Sequence, residues 1–514
     1  MAHTQLPLET LPLWQSLNNV VFSSTHLAAI PAKGSGLVAG DEGNDGSAGA
    51  LISVPSELVL HVEAVEEYAK QDRNFRQLLD AAGHQSARGD ILLFLLVQLV
   101  VGLSQPGEEL ASLPVPWTEY VKFLPDDNAV EAKIVALEHE FDELREKSSN
   151  LPFWQAALWE RESGPQLRHW FLVDAWYRSR CLDLPRSGPS MVPCIDMVNH
   201  SATPNAYYEE LSSAVSVAAD KVVLLLRPGQ RVAASDEITI SYSGSGESGS
   251  SDVKPASEML FSYGFIDPKS ARHSLVLPFR PFPDDPLAKA KLHVSGGPAQ
   301  RLEVELLGDA ADEDEDTLGA SKVRWTCPFA YLMCVNEEDG LDFRLQQETD
   351  GSTQLRMFWQ DVDVTESAQD FPSLLSTHQL APIFYLRVVT VLQEAIEAQL
   401  ERMQAAGGDQ VETDDEDNDD DEMGDGQEQD DIEDGDVRSA LATQAAILRD
   451  IESRVLSSAL ESLEAERSDL LSNATVVAYL GSMEASENTL AHEHAPNQGQ
   501  DDEAMNEGAD DDFS

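Results

Sequence analysis

Three short blocks hold the side chains of this chain best suited to chemistry. The first, Ile195-Asp196-Met197-Val198-Asn199-His200-Ser201, offers a carboxylate, a side-chain amide and an imidazole. The second, Glu237-Ile238-Thr239-Ile240-Ser241-Tyr242, ends on a phenol, and the third, Phe261-Ser262-Tyr263-Gly264-Phe265, sets another phenol between two phenylalanines. A phenol hydroxyl can orient a nucleophile, and aromatic faces attract a cation by roughly 0.5–2 kcal/mol. Asp196 and His200 stand four apart and could share a helix face as metal ligands, but no third ligand at metal spacing lies nearby, so no metal is expected. The plainer reading of Asn199 and Ser201 is an Asx-type turn, and a lone tyrosine is most simply a core or surface aromatic.

One further pattern is a decoy. Gly244-Ser245-Gly246-Glu247-Ser248-Gly249 satisfies GxGxxG and follows a strand-like run. No helix opens there, because Ser250-Ser251-Asp252 leads to Pro255, and no βαβ unit surrounds it, so it reads as a flexible loop.

Charge narrows the classes of partner. The chain has 514 residues, 42% of them hydrophobic, and a formal net charge of -58. That length and composition imply a large core and two or more domains. The charge argues against direct nucleic-acid binding and favours basic protein partners. Much of it lies in Glu412 to Asp436, where Asp414-Asp415-Glu416-Asp417-Asn418-Asp419-Asp420-Asp421-Glu422 cannot pack a core. A solvated linker is the simplest account of that run; recruitment of a Lys/Arg-rich protein is the alternative. The longest apolar run, Ile91-Leu92-Leu93-Phe94-Leu95-Leu96-Val97, is interrupted too soon to span a bilayer and reads as a buried helix. No membrane association is expected.

Four cysteines, Cys181, Cys194, Cys327 and Cys334, form no CxxC or Cys/His zinc pattern and read as reduced, buried thiols. The sequons at Asn199 and Asn473 read as chance occurrences. With no basic n-region and no Arg-rich transit sequence, the expected address is the cytoplasm, with the nucleus also open, and the expected state is a monomer.

The elements that must position these blocks follow from pattern. Leu13 to Ala39 reads as short strands separated by turns, with Lys33 to Ala39 a glycine-relieved turn entering a strand. From Leu58 to Arg168 the spacing becomes helical. Strand character returns over Val215 to Val232 and Glu237 to Tyr242. Beyond Pro268, helices are expected over Pro382 to Met403 and Val437 to Leu471, packed against each other, with the acidic segment projecting between them. An acidic loop is expected at Asp312-Glu313-Asp314-Glu315-Asp316, and a polar, acidic, disordered tail over 473–514.

Taken in order, the three blocks resemble the catalytic core of SET-domain protein-lysine methyltransferases. The branch most similar is the one with an interrupted SET domain, typified by the Rubisco large-subunit and fungal ribosomal-protein lysine methyltransferases. The resemblance implies an α+β fold: a β-rich SET domain with a pseudoknot over 13–267, interrupted by a helical insert at about 58–170. A mainly α-helical, substrate-binding-like C-terminal domain over 268–472 would follow, with a disordered acidic insertion at 408–436. It implies an S-adenosyl-L-methionine cofactor and transfer of its methyl group to a lysine amine. By the same resemblance Tyr242 is the catalytic tyrosine and contacts cofactor and substrate, and Tyr263 is the second channel tyrosine. Asn199 and His200 bind the cofactor through the pseudoknot, together with Ser35, Gly36 and Leu37, which match its first cofactor loop. Asp196 lies near the substrate lysine. Arg180 contacts cofactor and substrate in preference to Arg178, and Tyr208 or its neighbour Tyr207 lines the channel.

The sequence departs from the branch where Pro255-Ala256-Ser257 replaces the usual asparagine before the third block. The substrate implied is a non-histone basic protein, a ribosomal protein or a translation elongation factor, with a histone less favoured. A SET-like scaffold without catalysis is the alternative, and the intact tyrosines and Asn199-His200 argue against it.

Overall fold

The computed structural model describes residues 5–482 apart from 32, 48, 104–114, 126–133, 162–163, 213–219, 243–253, 270–271, 298, 308–322, 348–352 and 409–427. The GxGxxG loop, the acidic loop at 312–316, residues 409–427 of the acidic segment and 483–514 of the tail lie outside the described residues; residues 428–436 and 474–482 are helical, where a disordered insertion and a disordered tail are expected. The chain divides into two compact units, Met1–Arg272 with Gly424–Leu448, and His273–Met423 with Arg449–Ser514.

The first unit opens on a helix, α1 (Leu11–Leu17), where the sequence reading expects a strand. Pro12 presets the first turn, and Leu11 and Trp14, one helical turn apart, are buried while Leu13 and Leu17 face outward. Strands follow as β1 (Val21–Phe22), β2 (Thr25–Ile30), β3 (Gly34–Ala39) and β4 (Ile52–Pro55). The β2–β3 hairpin turns at Gly34, whose φ of 74° favours glycine.

Seven helices then intervene: α2 (Val62–Gln71), α3 (Arg73–Ala82), α4 (Ala87–Leu103), α5 (Pro116–Tyr120), α6 (Ile134–Ser149), α7 (Pro152–Trp154) and α8 (Leu167–Arg180). The apolar run is α4, buried on every side from Ile91 to Val97. Asp72 caps α3 by accepting from the N–H groups of Asn74 and Phe75. Arg88 on α4 reaches Glu140 on α6 and Asp174 on α8, tying the three together. Burial would raise the Asp174 carboxyl, but hydrogen bonds from Arg178 and Arg88 outweigh it and hold the pKa below its usual value. Helix α8 continues past 170 to Arg180, so the insert delivers that arginine directly to the strands that follow.

The remaining strands are β5 (Cys181–Leu184), β6 (Gly188–Met191), β7 (Ala206–Leu211), β8 (Lys221–Leu226) and β9 (Glu237–Ile238). They form a sheet β1-β4-β8-β7, a sheet β2-β3-β9 and the hairpin β5-β6. β4 pairs antiparallel with β8, Ile52 opposite Leu224, across the whole insert. Helix α9 (Ala256–Tyr263) ends on Gly264 in the left-handed conformation, φ 78°, as a C-cap requires.

The second unit carries more strand than the sequence reading separates. β10 (Ser274–Pro278), β11 (Arg301–Leu306) and β12 (Val323–Thr326) make one antiparallel sheet; β13 (Leu341–Gln347), β14 (Thr353–Trp359) and β15 (Val362–Asp363) make another. With them go α10 (Ala288–Val294), α11 (Pro328–Met333), α12 (Phe371–Ser376) and the long α13 (Ala381–Gly408). The last helix, α14 (Glu428–Leu471), belongs to this unit from Arg449 onward. Val388, Leu392 and Ile396 of α13 share one core with Val455, Leu456, Ala459 and Leu463 of α14, as their apolar spacing predicts. Among the described residues, no helix is long and apolar enough to cross a membrane.

Candidate active site

The site forms where the first block crosses the second. β9 leaves its pairing with β3 after Ile238, and the chain turns to run beside residues 199–206. Ile240 pairs in parallel with His200: the Ile240 N–H donates to the Asn199 carbonyl, and the Ser201 N–H donates to the Ile240 carbonyl, each at 3.0 Å. This crossing stands where the pseudoknot is expected. The expected strand Glu237 to Tyr242 is therefore short, because beyond Ile238 its backbone groups are satisfied by the crossing segment rather than by a sheet neighbour.

Asn205 pins the crossing, and nothing in the sequence reading marks it. Its side-chain amide donates to the Glu237 carbonyl and accepts from the Thr239 N–H, at 2.9 and 2.8 Å. One side chain here does what a neighbouring strand would do.

Tyr242 is held at both ends. Its N–H donates to His200 Nδ1 at 3.1 Å, and its hydroxyl donates to the Val198 carbonyl at 3.0 Å. The first bond makes Nδ1 an acceptor and so leaves the proton of a neutral imidazole on Nε2. Burial lowers the His200 pKa, which keeps the ring neutral at physiological pH despite Asp267 nearby. The Tyr263 ring lies 4.6 Å from that of Tyr242, and Phe265 lies 6.2 Å from Tyr263. Burial pushes both phenols well above the ordinary tyrosine value, so each hydroxyl stays protonated and acts as a neutral dipole.

Tyr208 points into the core of β7 while Tyr207 is only half-buried, because side chains alternate along a strand. Tyr208 is the buried member of the doublet: burial raises its hydroxyl to about 12, with Asp183 and Tyr263 adding to the rise.

Of the two arginines ending α8, Arg178 is occupied. It pairs with Asp174, donates to the Phe261 carbonyl, and lies over the Phe261 ring. Arg180 instead donates from Nη1 to the Asp196 carbonyl at 3.0 Å, and its Nε is buried without a hydrogen-bond partner among the described residues. Asp196 is buried too; its Oδ1 accepts from the Tyr120 hydroxyl at 2.5 Å, while Oδ2 has no hydrogen-bond partner among the described residues. Burial raises this carboxyl to about 6, against the lowering effects of Arg180 and Tyr120. The Asp196 segment is a turn and not a helix, so the pairing of Asp196 with His200 on one helix face does not arise.

Ser35, Gly36 and Leu37 lie on β3 rather than in a loop. A Cβ on Gly36 would come within 2.7 Å of Asn199 Nδ2, so glycine is what admits the Asn199 amide to this strand. That amide donates to Glu237 Oε1 at 2.9 Å, and Lys33 Nζ reaches Glu237 Oε2 at 2.7 Å. Leu37 is fully buried opposite Ile238. Ser35 is half-buried opposite Ala29. The turn reading of Ser201 also holds, since its Oγ accepts from the Thr203 N–H.

No family model matches the chain. "SET domain-containing protein 8" of Schizosaccharomyces pombe is 25% identical over 390 residues, covering 72% of this chain and 81% of that relative. A solved structure of the SET domain of LSMT bound to lysine and AdoHcy aligns at a TM-score of 0.57 with 18% identity, over 90% of this chain and 92% of that one. Rubisco LSMT bound to AdoMet aligns at 0.54 with 17% identity, over 90% and 93%. With the crossing and the interrupting helices in place, the fold is that of the SET-domain structures of LSMT.

Proposed function

We propose that this chain is an S-adenosyl-L-methionine-dependent protein-lysine N-methyltransferase, and that its substrate is a basic non-histone protein, a ribosomal protein or a translation elongation factor. The observation that carries the reading is the gathering of Tyr242, Tyr263, Tyr208 and Phe265 beside two buried polar atoms without partners among the described residues, Arg180 Nε and Asp196 Oδ2. Partnerless polar atoms also occur elsewhere among the described residues, as at Gln98 Nε2, but here two of them meet beside an aromatic cluster, where a ligand's polar groups can pair with them.

The residues present fit the cofactor. Gly36 keeps the β3 backbone close to Asn199, and the Asn199, His200 and Arg180 groups stand around the crossing, where they would hold a molecule with amine, carboxylate and adenine polar groups. When bound, S-adenosyl-L-methionine supplies an electrophilic methyl on a sulfonium centre.

The chain's own residues do the rest. A free lysine amine has a pKa of about 10.4, and only its neutral form attacks. Buried aromatic walls disfavour the ammonium by desolvation and so lower that pKa. Tyr242, fixed by His200 and Val198, presents a protonated hydroxyl whose lone pairs can accept from the amine and hold it in line for attack. The net charge of -58 suits a basic substrate.

The test is incubation of the purified protein with methyl-tritiated S-adenosyl-L-methionine and a methylation-depleted cell extract. A labelled protein yielding methyl-lysine on hydrolysis supports the reading and names the substrate. Cofactor binding by calorimetry with no protein label would overturn it in favour of a scaffold.

A further inference from the structure

We infer that Tyr120, contributed by the helical insert, is a positioning residue for the methyl transfer proposed above: its hydroxyl fixes the Asp196 carboxylate and the turn that leads into Asn199-His200. The inference rests on that functional reading. Tyr120 is fully buried, boxed by Trp14 at 4.8 Å and Trp117 at 5.2 Å between ring centres. Those walls are themselves pinned, Trp14 Nε1 donating to the Pro116 carbonyl and Trp117 Nε1 to the Leu58 carbonyl. The phenol therefore has one place to point.

There it makes two bonds. The hydroxyl accepts from the Cys194 N–H at 2.6 Å and donates to Asp196 Oδ1 at 2.5 Å. Cys194 has φ 69°, a left-handed conformation that L residues rarely hold unless the surroundings impose it. The Tyr120 hydroxyl meets the N–H of that very residue. It thus sets both the backbone path into the first block and the rotation of the carboxylate, leaving Oδ2 without a partner among the described residues, beside Arg180 and Tyr242.

A role limited to satisfying a buried N–H would not affect ionisation in the site, whereas a role through Asp196 must. The groups facing Asp196 are Tyr120 from α5, Cys194 from its own segment, Arg180 from α8 and Tyr242 beyond β9. Burial raises the Asp196 carboxyl, and the Tyr120 donor opposes the rise. Removing the donor raises it further; strengthening the donor lowers it.

Two variants of the full chain test this by the pH profile of label transfer from tritiated S-adenosyl-L-methionine into the depleted extract. Tyr120→Phe is expected to lower the rate at least tenfold at neutral pH and to move the acid limb upward. Replacing Tyr120 by 3,5-difluorotyrosine keeps the ring and the bonds with a more acidic hydroxyl; the acid limb should move downward, and this variant preserves the test where Tyr120→Phe folds poorly. An active wild type with the limb unmoved in the difluorotyrosine protein would overturn the Tyr120 assignment alone. A wild type that transfers no label overturns the functional reading and this inference together.

Discussion

The Tyr242 hydroxyl donates to the Val198 carbonyl at 3.0 Å, joining the end of the second block to the middle of the first. Its proton is thereby committed to the backbone, and its lone pairs are the part left for a ligand. A phenol used this way works as an acceptor of fixed direction, which suits an amine that must shed one proton and keep the others aligned.

Tyr242→Phe removes that acceptor with little change in shape. Loss of one oriented polar group at a reacting centre lowers turnover by on the order of 10²-fold, and loss of one net hydrogen bond costs about 1 kcal/mol of stability. Single-turnover label transfer and thermal unfolding measure the two. Parental turnover in the variant would remove Tyr242 from the chemistry.

Gly36→Ala tests the cofactor cradle from the side of the strand. The new methyl would sit 2.5 Å from Ile30 Cγ1 and 2.7 Å from Asn199 Nδ2, so the amide must move off Glu237. Affinity for S-adenosylhomocysteine in calorimetry should fall about tenfold, equivalent to about 1.4 kcal/mol. Asn199→Ala and His200→Ala should weaken it as well. If all three proteins bind like the parent, Asn199-His200 is a turn and nothing more.

Asp196 makes stability depend on pH in the sense opposite to a salt-bridged carboxylate. Its folded value is raised to about 6, above an unfolded value of about 3.9. Below pH 4 it is protonated in both states; between roughly 4 and 6 only the unfolded chain ionises readily, so the contribution falls as pH rises and is flat above. Asp196→Asn keeps an acceptor for Tyr120 and removes the effect. The variant should gain on the parent by up to roughly 3 kcal/mol between pH 4 and 7 in denaturant melts, while losing activity. Parallel stability curves across that range would show that Asp196 is not a raised carboxyl.

Deleting residues 412–427, the part of the acidic run that precedes the last helix, tests it as a recruiter. If it attracts a basic substrate, the deletion raises KM at low salt, and the difference shrinks as ionic strength screens the charges. Equal kinetics at both salt concentrations would leave a linker.

Those parts of the site that are contiguous in sequence were legible in it. Asn199-His200, Tyr242 and Tyr263 stand in blocks whose order carries the resemblance, and the long helices α13 and α14 announce themselves by apolar spacing. Residues that act at a distance were not legible. Asn205 works by replacing a strand, a role visible only once Glu237 and Thr239 lie beside it. Tyr120 lies in the insert, far from any block, and looks like any aromatic beside a tryptophan. The α1 helix was misread because Leu11 and Trp14 fix a helical face only after something exists to bury them. The choice between Tyr207 and Tyr208 needed the phase of β7, which a doublet of identical residues hides.

The pairing of β4 with β8 sets an order of events for a chain made from its N-terminus. Ile52 cannot meet Leu224 until all seven intervening helices have been synthesised, so β4 waits with only the two-residue β1 at its side. The insert's helices form from local contacts in microseconds, whereas closing that sheet depends on contacts remote in sequence. The insert is thus the first part able to condense, and its compaction shortens the gap that β8 must bridge. A chain stopped at residue 205 would hold the helices but leave an unfilled strand edge, and it should aggregate where the full protein does not.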